Sequence, residues 1–361
     1  MGDKQSAYQG CLLGLAVGDA MGLPVDKKTW EEICEEYGPN GLLGYDLRNG
    51  SAEVSSHTQI AAYVGNALLV ALTRGRPGAY VQYITMALKE WAKRQHFPRD
   101  PDKSPFWVSQ LPELRKRACM DARMLDALRA ETLGETEHAI NNAISPGSLP
   151  SAVAVALFYN PKRMEPSEVG TLAANALALT HGNPETFLSG VVLAYALAGI
   201  IQQPEYSLED QFRHACSAMQ AQFGFRFPQG DLVEQRIMRA IDLANSQQFT
   251  PRDCMERLDC RTAPSCVAGA FYACLKYPED FDSAMILAVN HSGSSAAVGA
   301  LTGAILGAKM GEDTLPDFYL ESLEAVEHLE QLATDLAVGS MTTGLFNDDW
   351  DHRYVQGLPS C

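Results

Sequence analysis

Two glycine-rich stretches near the ends of the chain carry the polar residues best placed for chemistry. In the first, Gly14, Gly18 and Gly22 recur at helical spacing, which lets another helix approach closely. Asp19 stands among the apolar residues between them, where a carboxylate needs a hydrogen-bond partner or a metal. Close helix packing alone explains the glycines, so the aspartate is the informative residue.

The second stretch places Gly293 before Ser294, Ser295 and a pattern rich in alanine and glycine. A glycine turn that leads into a helix N-terminus presents free backbone N–H groups, to which the serines add hydroxyls. This arrangement predicts a site for an anion or a ribose. An ordinary N-cap serine in front of a buried helix explains the same pattern, and the sequence leaves both interpretations open.

Two further stretches place a histidine beside hydroxyl groups. Residues 55–58 read Ser-Ser-His-Thr, and His181 lies between Thr180 and Gly182. Histidine is the side chain whose charge changes near neutral pH. His181 fits a helix C-terminus, where an imidazole is favourable and glycine commonly follows. It fits a ligand site equally well.

Composition argues against several functions. The 361 residues carry a formal net charge of −16 with a pI near 4.9. A surface this acidic repels nucleic acid and anionic lipid, so we expect neither a nucleic acid nor a membrane as partner. The nine cysteines match no zinc-ligand spacing and fit reduced thiols. The sequence shows no signal-peptide pattern and no apolar run of about 18 residues, and Ala296–Lys309 comes closest to such a run. We therefore expect a cytoplasmic protein.

Helical periodicity dominates the sequence and predicts an all-α protein. Apolar residues recur at a period near 3.6, whereas alternation typical of strands is scarce. The periodic segments are Ala61–Thr73, Ala79–Arg94, Pro150–Tyr159, Ser167–Thr180, Pro184–Gln202, Leu208–Phe223, Asp231–Gln247, Cys266–Lys276, Phe281–Val289, Ala296–Met310 and Tyr319–Val338. Residues 94–117 differ, because several prolines and many charges predict a loop or a lid.

The glycine-rich stretches and the cluster at 55–58 together resemble the ADP-ribosylglycohydrolase family, over about residues 8–355. That family removes ADP-ribose from modified targets with two Mg²⁺ ions. The resemblance implies a compact single-domain orthogonal helix bundle over residues 1–361, because motifs far apart in sequence form one site in the family.

The family's metal-binding aspartates are absent from the matching positions. The family's Thr-Asp-Asp-Thr corresponds to residues 55–58, and its Gly-Asp-Ser-Asp-Ser corresponds to Gly-Ser-Ser-Ala-Ala at 293–297. The four aspartates are thus replaced by Ser56, His57, Ser294 and Ala296. Because Mg²⁺ pairs need several carboxylates, we expect the binuclear site to be lost and no cofactor to be bound. A single transition ion on Asp26, His57 and His291 is the alternative.

The resemblance also assigns roles to other positions. Asp19 matches a family aspartate that braces the site, and Asp26 matches a longer glutamate beside the substrate ribose. His181 matches a histidine near the bound diphosphate, and Gly147 survives from an eroded substrate loop. A Gly-Trp-x-Ala-Glu-Glu signature has lost its acidic pair at residues 260–265. The predicted ligand-binding residues are Asp19, Ser56, Thr58, Gly147, His181, Gly293, Ser294 and Ser295.

These losses predict a divergent member that acts as an ADP-ribose-binding, nucleotide-binding or protein-interaction pseudoenzyme, without Mg²⁺-dependent hydrolysis. The alternative is a metal-independent or altered N-glycosidic hydrolase acting on ADP-ribosylated protein or a related nucleoside. In that case Asp26 and His57 are the catalytic residues. Asp26 would stabilise or attack an oxocarbenium-like centre, and His57 would act as acid or base.

Overall fold

The computed structural model describes residues 2–96, 104–118, 121–339 and 348–355. The all-α prediction is confirmed: 70% of the described residues are helical, and these residues contain isolated β-bridges but no strand. The helices are α1 (Gly2–Gly22), α2 (Trp30–Tyr37), α3 (Ser56–Thr73), α4 (Tyr80–His96), α5 (Pro112–Arg115), α6 (Ala122–Leu128), α7 (Pro150–Phe158), α8 (Pro166–Ala178), α9 (Pro184–Gln202), α10 (Leu208–Phe223), α11 (Gly230–Asn245), α12 (Pro251–Leu258), α13 (Ala263–Lys276), α14 (Phe281–Val289), α15 (Ser295–Met310), α16 (Asp317–Leu320), α17 (Val326–Val338) and α18 (Asp348–Tyr354).

Helices α1 and α15 pack backbone against backbone through glycine. The facing residues are Gly10 with Gly307, Gly14 with Gly303, and Gly18 with Gly299. A Cβ on Gly14 would lie 2.7 Å from the carbonyl carbon of Gly303, so no side chain fits between the two helices. The pairing is antiparallel, and it therefore brings the end of α1 to the start of α15.

The interior is built from helices that are apolar on most sides. Helix α9 is long and apolar enough to cross a membrane by length and composition alone, but 78% of its apolar window is buried inside the fold. It is therefore a core helix. This helix, and not Ala296–Lys309, comes closest to the length of a membrane span.

Most predicted helices lie where the periodicity placed them, but the last one was predicted too long. The sequence predicts one helix over Tyr319–Val338, whereas α17 begins only at Val326. Ala325 adopts a left-handed backbone with φ of 62°, which a continuous right-handed helix does not allow. Helices α2 and α12 were not predicted by periodicity.

The predicted loop or lid at residues 94–117 lies partly outside the described residues. Its described part includes the end of α4, a 3₁₀ turn at Trp107–Gln110 and the short helix α5. Phe106, Val108 and Leu114 are buried in the core, so this part is anchored to the body of the protein. Movement over a site stays a prediction.

Candidate functional site

A cleft of about 270 Å³ lies where the end of α1 meets the starts of α3, α6 and α15. Among the residues considered from the sequence, its lining contains Asp26, Ser56, His57, Gly147, Ser294 and Ala296. The packing of α1 against α15 therefore brings together the four positions that the resemblance assigned to metal ligands.

Asp19 lies beneath the cleft, fully buried, and holds the start of α3. Its Oδ2 accepts hydrogen bonds from the backbone N–H of Ser55 at 2.8 Å and from the N–H and hydroxyl of Thr58 at 3.1 and 2.6 Å. Its Oδ1 accepts from the Ser55 hydroxyl at 2.5 Å. Burial opposes the charge, but hydrogen bonds and the charge of His57 keep the pKa of Asp19 below its ordinary value. Asp19 and Thr58 thus position the cleft wall from behind.

His57 connects Asp19 to the cleft. Its Nδ1 lies 3.1 Å from Ser55 Oγ and 3.4 Å from Asp19 Oδ1. Because the Ser55 hydroxyl donates to Asp19, its oxygen is left to accept from Nδ1–H. Nε2 is buried and has no hydrogen-bond partner within the described residues, so it is the ring nitrogen that the protein leaves unpaired. Burial acts to lower the pKa of His57, but the hydrogen bond and charge of Asp19 raise it above its ordinary value.

Asp26 lies at the start of α15. Its Oδ1 accepts a hydrogen bond from the backbone N–H of Ala296 at 3.3 Å, and its Oδ2 lies 3.6 Å from Lys27 Nζ. Burial raises the pKa of Asp26, against the opposing effect of the His57 and Lys27 charges. The Asp26 carboxylate therefore already occupies part of the anion-binding capacity of the α15 N-terminus.

The glycine–serine turn before α15 divides into a lining residue and supporting residues. Ser294 is the N-cap residue and lines the cleft, yet its side chain makes no capping hydrogen bond in the described structure. Ser295 is buried and donates to the His291 carbonyl at 3.4 Å. The Gly293 carbonyl accepts from the Lys27 N–H at 2.9 Å. Ser294 is thus the hydroxyl of this turn that a ligand can reach.

His181 lies one layer behind the cleft and is fully buried. Its Nε2 lies 3.2 Å from Ser145 Oγ and 3.3 Å from Asp121 Oδ2, and both of these residues line the cleft. Burial opposes ionisation of Asp121, but its hydrogen bonds to His181 and Ser145 lower the pKa of that carboxyl. Gly147 packs against Asp121, where an added Cβ would lie 2.8 Å from the aspartate Cβ. His181 therefore acts on the cleft through Asp121 and Ser145.

The side chains at this site do not form a ligand set that fits two Mg²⁺ ions. Asp19 is saturated by protein hydrogen bonds, and Asp26 is engaged by Ala296 and Lys27. The four positions assigned to metal ligands supply two hydroxyls, one imidazole and one methyl group, whereas Mg²⁺ pairs need several carboxylates.

The alternative single-ion site also lacks an assembled ligand set. His291 is buried and does not line the cleft. Burial lowers its pKa to about 4. Across the described ranges, no group of three or more His, Cys, Asp or Glu side chains is arranged to hold a metal ion.

Four charged residues of the cleft were not predicted from the sequence. They are Lys27, Asp121, Arg123 and Arg261. Arg261 falls within the eroded signature at 260–265, which is a signal that could have found it. Asp121 and Arg123 belong to no recognised motif, and they lie at the start of α6, a helix that the apolar period did not predict.

Comparison with known proteins agrees with this architecture. Residues 2–344 match the ADP-ribosylglycohydrolase family. The chain therefore belongs to the ADP-ribosylglycohydrolase family. An uncharacterized protein of Archaeoglobus fulgidus is 25% identical over 344 residues, which cover 92% of this chain and 96% of that protein.

A solved structure shares the fold. It is described as an ADP-ribosylglycohydrolase-related protein complex, and the TM-score is 0.60 at 22% identity. The match covers 94% of this chain and 100% of the other. At this identity the likeness concerns the fold alone.

Proposed function

We propose that the cleft binds ADP-ribose or a related nucleotide without Mg²⁺, and that the protein is a divergent pseudoenzyme of its family. The observation that carries this proposal is the convergence of Ser56, His57, Ser294 and Ala296 on one cleft. Family resemblance assigns metal-binding aspartates to these positions. Their loss removes the negative charge on which a two-metal mechanism depends.

The same losses make the cleft more favourable for a phosphate. Fewer carboxylates mean less repulsion toward an anion. The Nε2 atom of His57, which is buried and has no partner among the described residues, is the donor we assign to the phosphate, and the link to Asp19 favours the charged imidazolium. Ser56 and Ser294 add hydroxyls that suit ribose or phosphate oxygens. These polar groups would bind the hydroxyl and phosphate oxygens of a sugar phosphate.

Thermal unfolding with ADP-ribose, in EDTA and separately in Mg²⁺, tests the proposal. A ligand at one hundred times its Kd stabilises a protein by about 2.7 kcal/mol, so we expect a clear rise in Tm in EDTA and no further rise with Mg²⁺. His57→Gln should reduce the rise. His138→Gln, which changes a histidine with 83% side-chain exposure, is the matched control. The proposal fails if ADP-ribose stabilises the protein only when Mg²⁺ is present.

A metal-independent hydrolase is the second candidate function, favoured by one observation. Asp26 and His57 line the same cleft, which places a carboxylate that would stabilise or attack an oxocarbenium-like centre beside an imidazole that would act as acid or base. In this case the protein releases ADP-ribose from an ADP-ribosylated peptide in EDTA, and Asp26→Asn abolishes release. Chromatography of the products distinguishes the two candidates.

The proposal includes a cytoplasmic location for the protein. It also includes a protein partner that would bind the outer surface. The net charge of −16 disfavours nucleic acid and anionic membranes as partners. If the protein responds to no nucleotide under any condition, its function shifts from the cleft to the outer surface. Affinity for an ADP-ribosylated protein, measured beside its unmodified form, separates these cases.

A further inference from the structure

We propose that Arg123 and Arg261 form a phosphate clamp at the cleft, in which guanidinium groups take over the charge-balancing role of metal ions. The ligand class is a phosphate ester or diphosphate. This inference deepens the proposed function and rests on it. Neither arginine was among the predicted site residues, and both line the cleft beside Ser294 and Ala296.

Arg123 brings an uncompensated cation to the cleft. It lies in the first turn of α6, where its backbone N–H donates to Asp121 Oδ1 at 2.9 Å. Within the described ranges, its guanidinium has no hydrogen bond or ion pair, although the protein is strongly acidic. A guanidinium presents five N–H donors in a planar fork that suits phosphate oxygens.

Arg261 is held at the cleft by an unusual backbone. The two residues before it, Asp259 and Cys260, both have positive φ, at 67° and 37°. A non-glycine residue in this region is strained, and such residues are frequent at functional sites. The Cys260 carbonyl accepts from the Ser294 N–H at 2.8 Å, and the Arg261 N–H donates to Ser265 Oγ at 3.1 Å. The strained turn thus ties Arg261 to the wall that carries Ser294.

The cleft lining carries three cations, Lys27, Arg123 and Arg261, against the two carboxylates Asp26 and Asp121, and this balance favours an anion over a neutral sugar. Lys27 pairs with Asp26 at 3.6 Å, and Arg261 contacts Asp259 through one terminal nitrogen. The other donors of Arg261 and all side-chain donors of Arg123 are left for a ligand. Because the two arginines come from α6 and from the turn before α13, they can bind one phosphate group or two linked ones from separate directions.

Calorimetry in EDTA at low salt tests the clamp, with ADP-ribose and inorganic pyrophosphate as separate probes. Arg123→Gln and Arg261→Gln should each weaken ADP-ribose binding about tenfold or more, because each removes a charge-assisted hydrogen bond. Arg129→Gln, at the other end of α6, and Arg257→Gln, in α12, remove the same charge outside the cleft lining and are the matched controls. Rising salt should weaken binding to the unaltered protein.

The outcomes separate the clamp from the nucleotide-binding proposal. Equal ADP-ribose affinity in all variants overturns the clamp and leaves nucleotide binding intact. If pyrophosphate binds in a way that depends on both arginines and ADP-ribose does not bind, the clamp is supported and the proposal of nucleotide binding is overturned. If neither probe binds, both proposals are wrong.

Discussion

The carboxylate of Asp26 accepts a hydrogen bond from the backbone N–H of Ala296, a position where the family resemblance implies a metal-binding aspartate. Asp26, which the resemblance places beside a substrate ribose, is therefore hydrogen-bonded to the first turn of α15. The Asp19 and Asp26 carboxylates are engaged by hydrogen bonds and an ion pair within the chain, which leaves them little coordination capacity for metal ions.

Restoring the aspartates should create a metal dependence. We expect the combined variant Ser56→Asp, His57→Asp, Ser294→Asp and Ala296→Asp to be less stable than the parent in EDTA, because carboxylates crowd around Asp26. Mg²⁺ or Mn²⁺ should raise its Tm by several degrees and leave the parent unchanged. A metal-dependent Tm of the parent would contradict this prediction. Hydrolase activity need not return, since the loop at 146–154 also differs from the family.

Asp19→Asn should destabilise the fold even though Asp19 touches no ligand. The amide would point two N–H donors toward the donors of Ser55 and Thr58, so we expect a loss of about 2–3 kcal/mol in the free energy of unfolding. Asp242→Asn, an exposed change on α11, should alter stability by less than about 0.5 kcal/mol. Chemical denaturation of both variants checks the difference, and equal stabilities would argue against a bracing role.

Gly14→Ala should push α1 away from α15. The added Cβ would lie 2.7 Å from the Gly303 carbonyl carbon, which is backbone and cannot rotate away. Overpacking of this kind costs about 1–3 kcal/mol or more, and ligand affinity should fall as well because these helices set the cleft geometry. Gly78→Ala, with open space around its Cβ, is the control. Unchanged stability and affinity would show that the helix contact is not needed.

The Asp19–His57 pair should stabilise the protein most at mildly acidic pH. The pKa of His57 is raised on folding, so its contribution is complete below the ordinary histidine value of about 6.5 and is lost as pH rises through the folded pKa. The pKa of Asp19 is lowered, so its contribution is lost as pH falls below about 3.8 toward the folded value. His57→Gln should therefore cost more stability near pH 5 than near pH 9, as measured by urea titration. An equal cost at both values would exclude the coupling.

The fold could be predicted from the sequence because its core helices are long and apolar. Helices α9, α10 and α14 have the predicted boundaries, since burial on most sides keeps the apolar period strong. Helix α2 was missed because it is short and rich in acids. Its capping box between Thr29 and Glu32 was the available signal.

The candidate site could be predicted from the sequence only in part. Motifs marked Asp26, His57 and Ser294, which do line the cleft. They could not separate lining residues from those one layer behind, such as Thr58 and His181, because sequence spacing does not reveal which polar atoms are already satisfied by the protein. Arg123 and Arg261 were missed for a different reason, because Arg123 lies in a short helix without a clear apolar period and Arg261 lies in a signature that has lost its acidic pair.

Calorimetry of ADP-ribose binding in EDTA, across about pH 5.5–8, tests the central claim most directly. The charged His57 favours a phosphate, and its raised pKa extends the charged form above the ordinary midpoint of about 6.5. We predict metal-free binding that weakens as pH rises, and a loss of this pH dependence in His57→Gln but not in His138→Gln. Absence of binding heat at millimolar ADP-ribose in EDTA, together with tight binding or turnover when Mg²⁺ is added, would contradict the account.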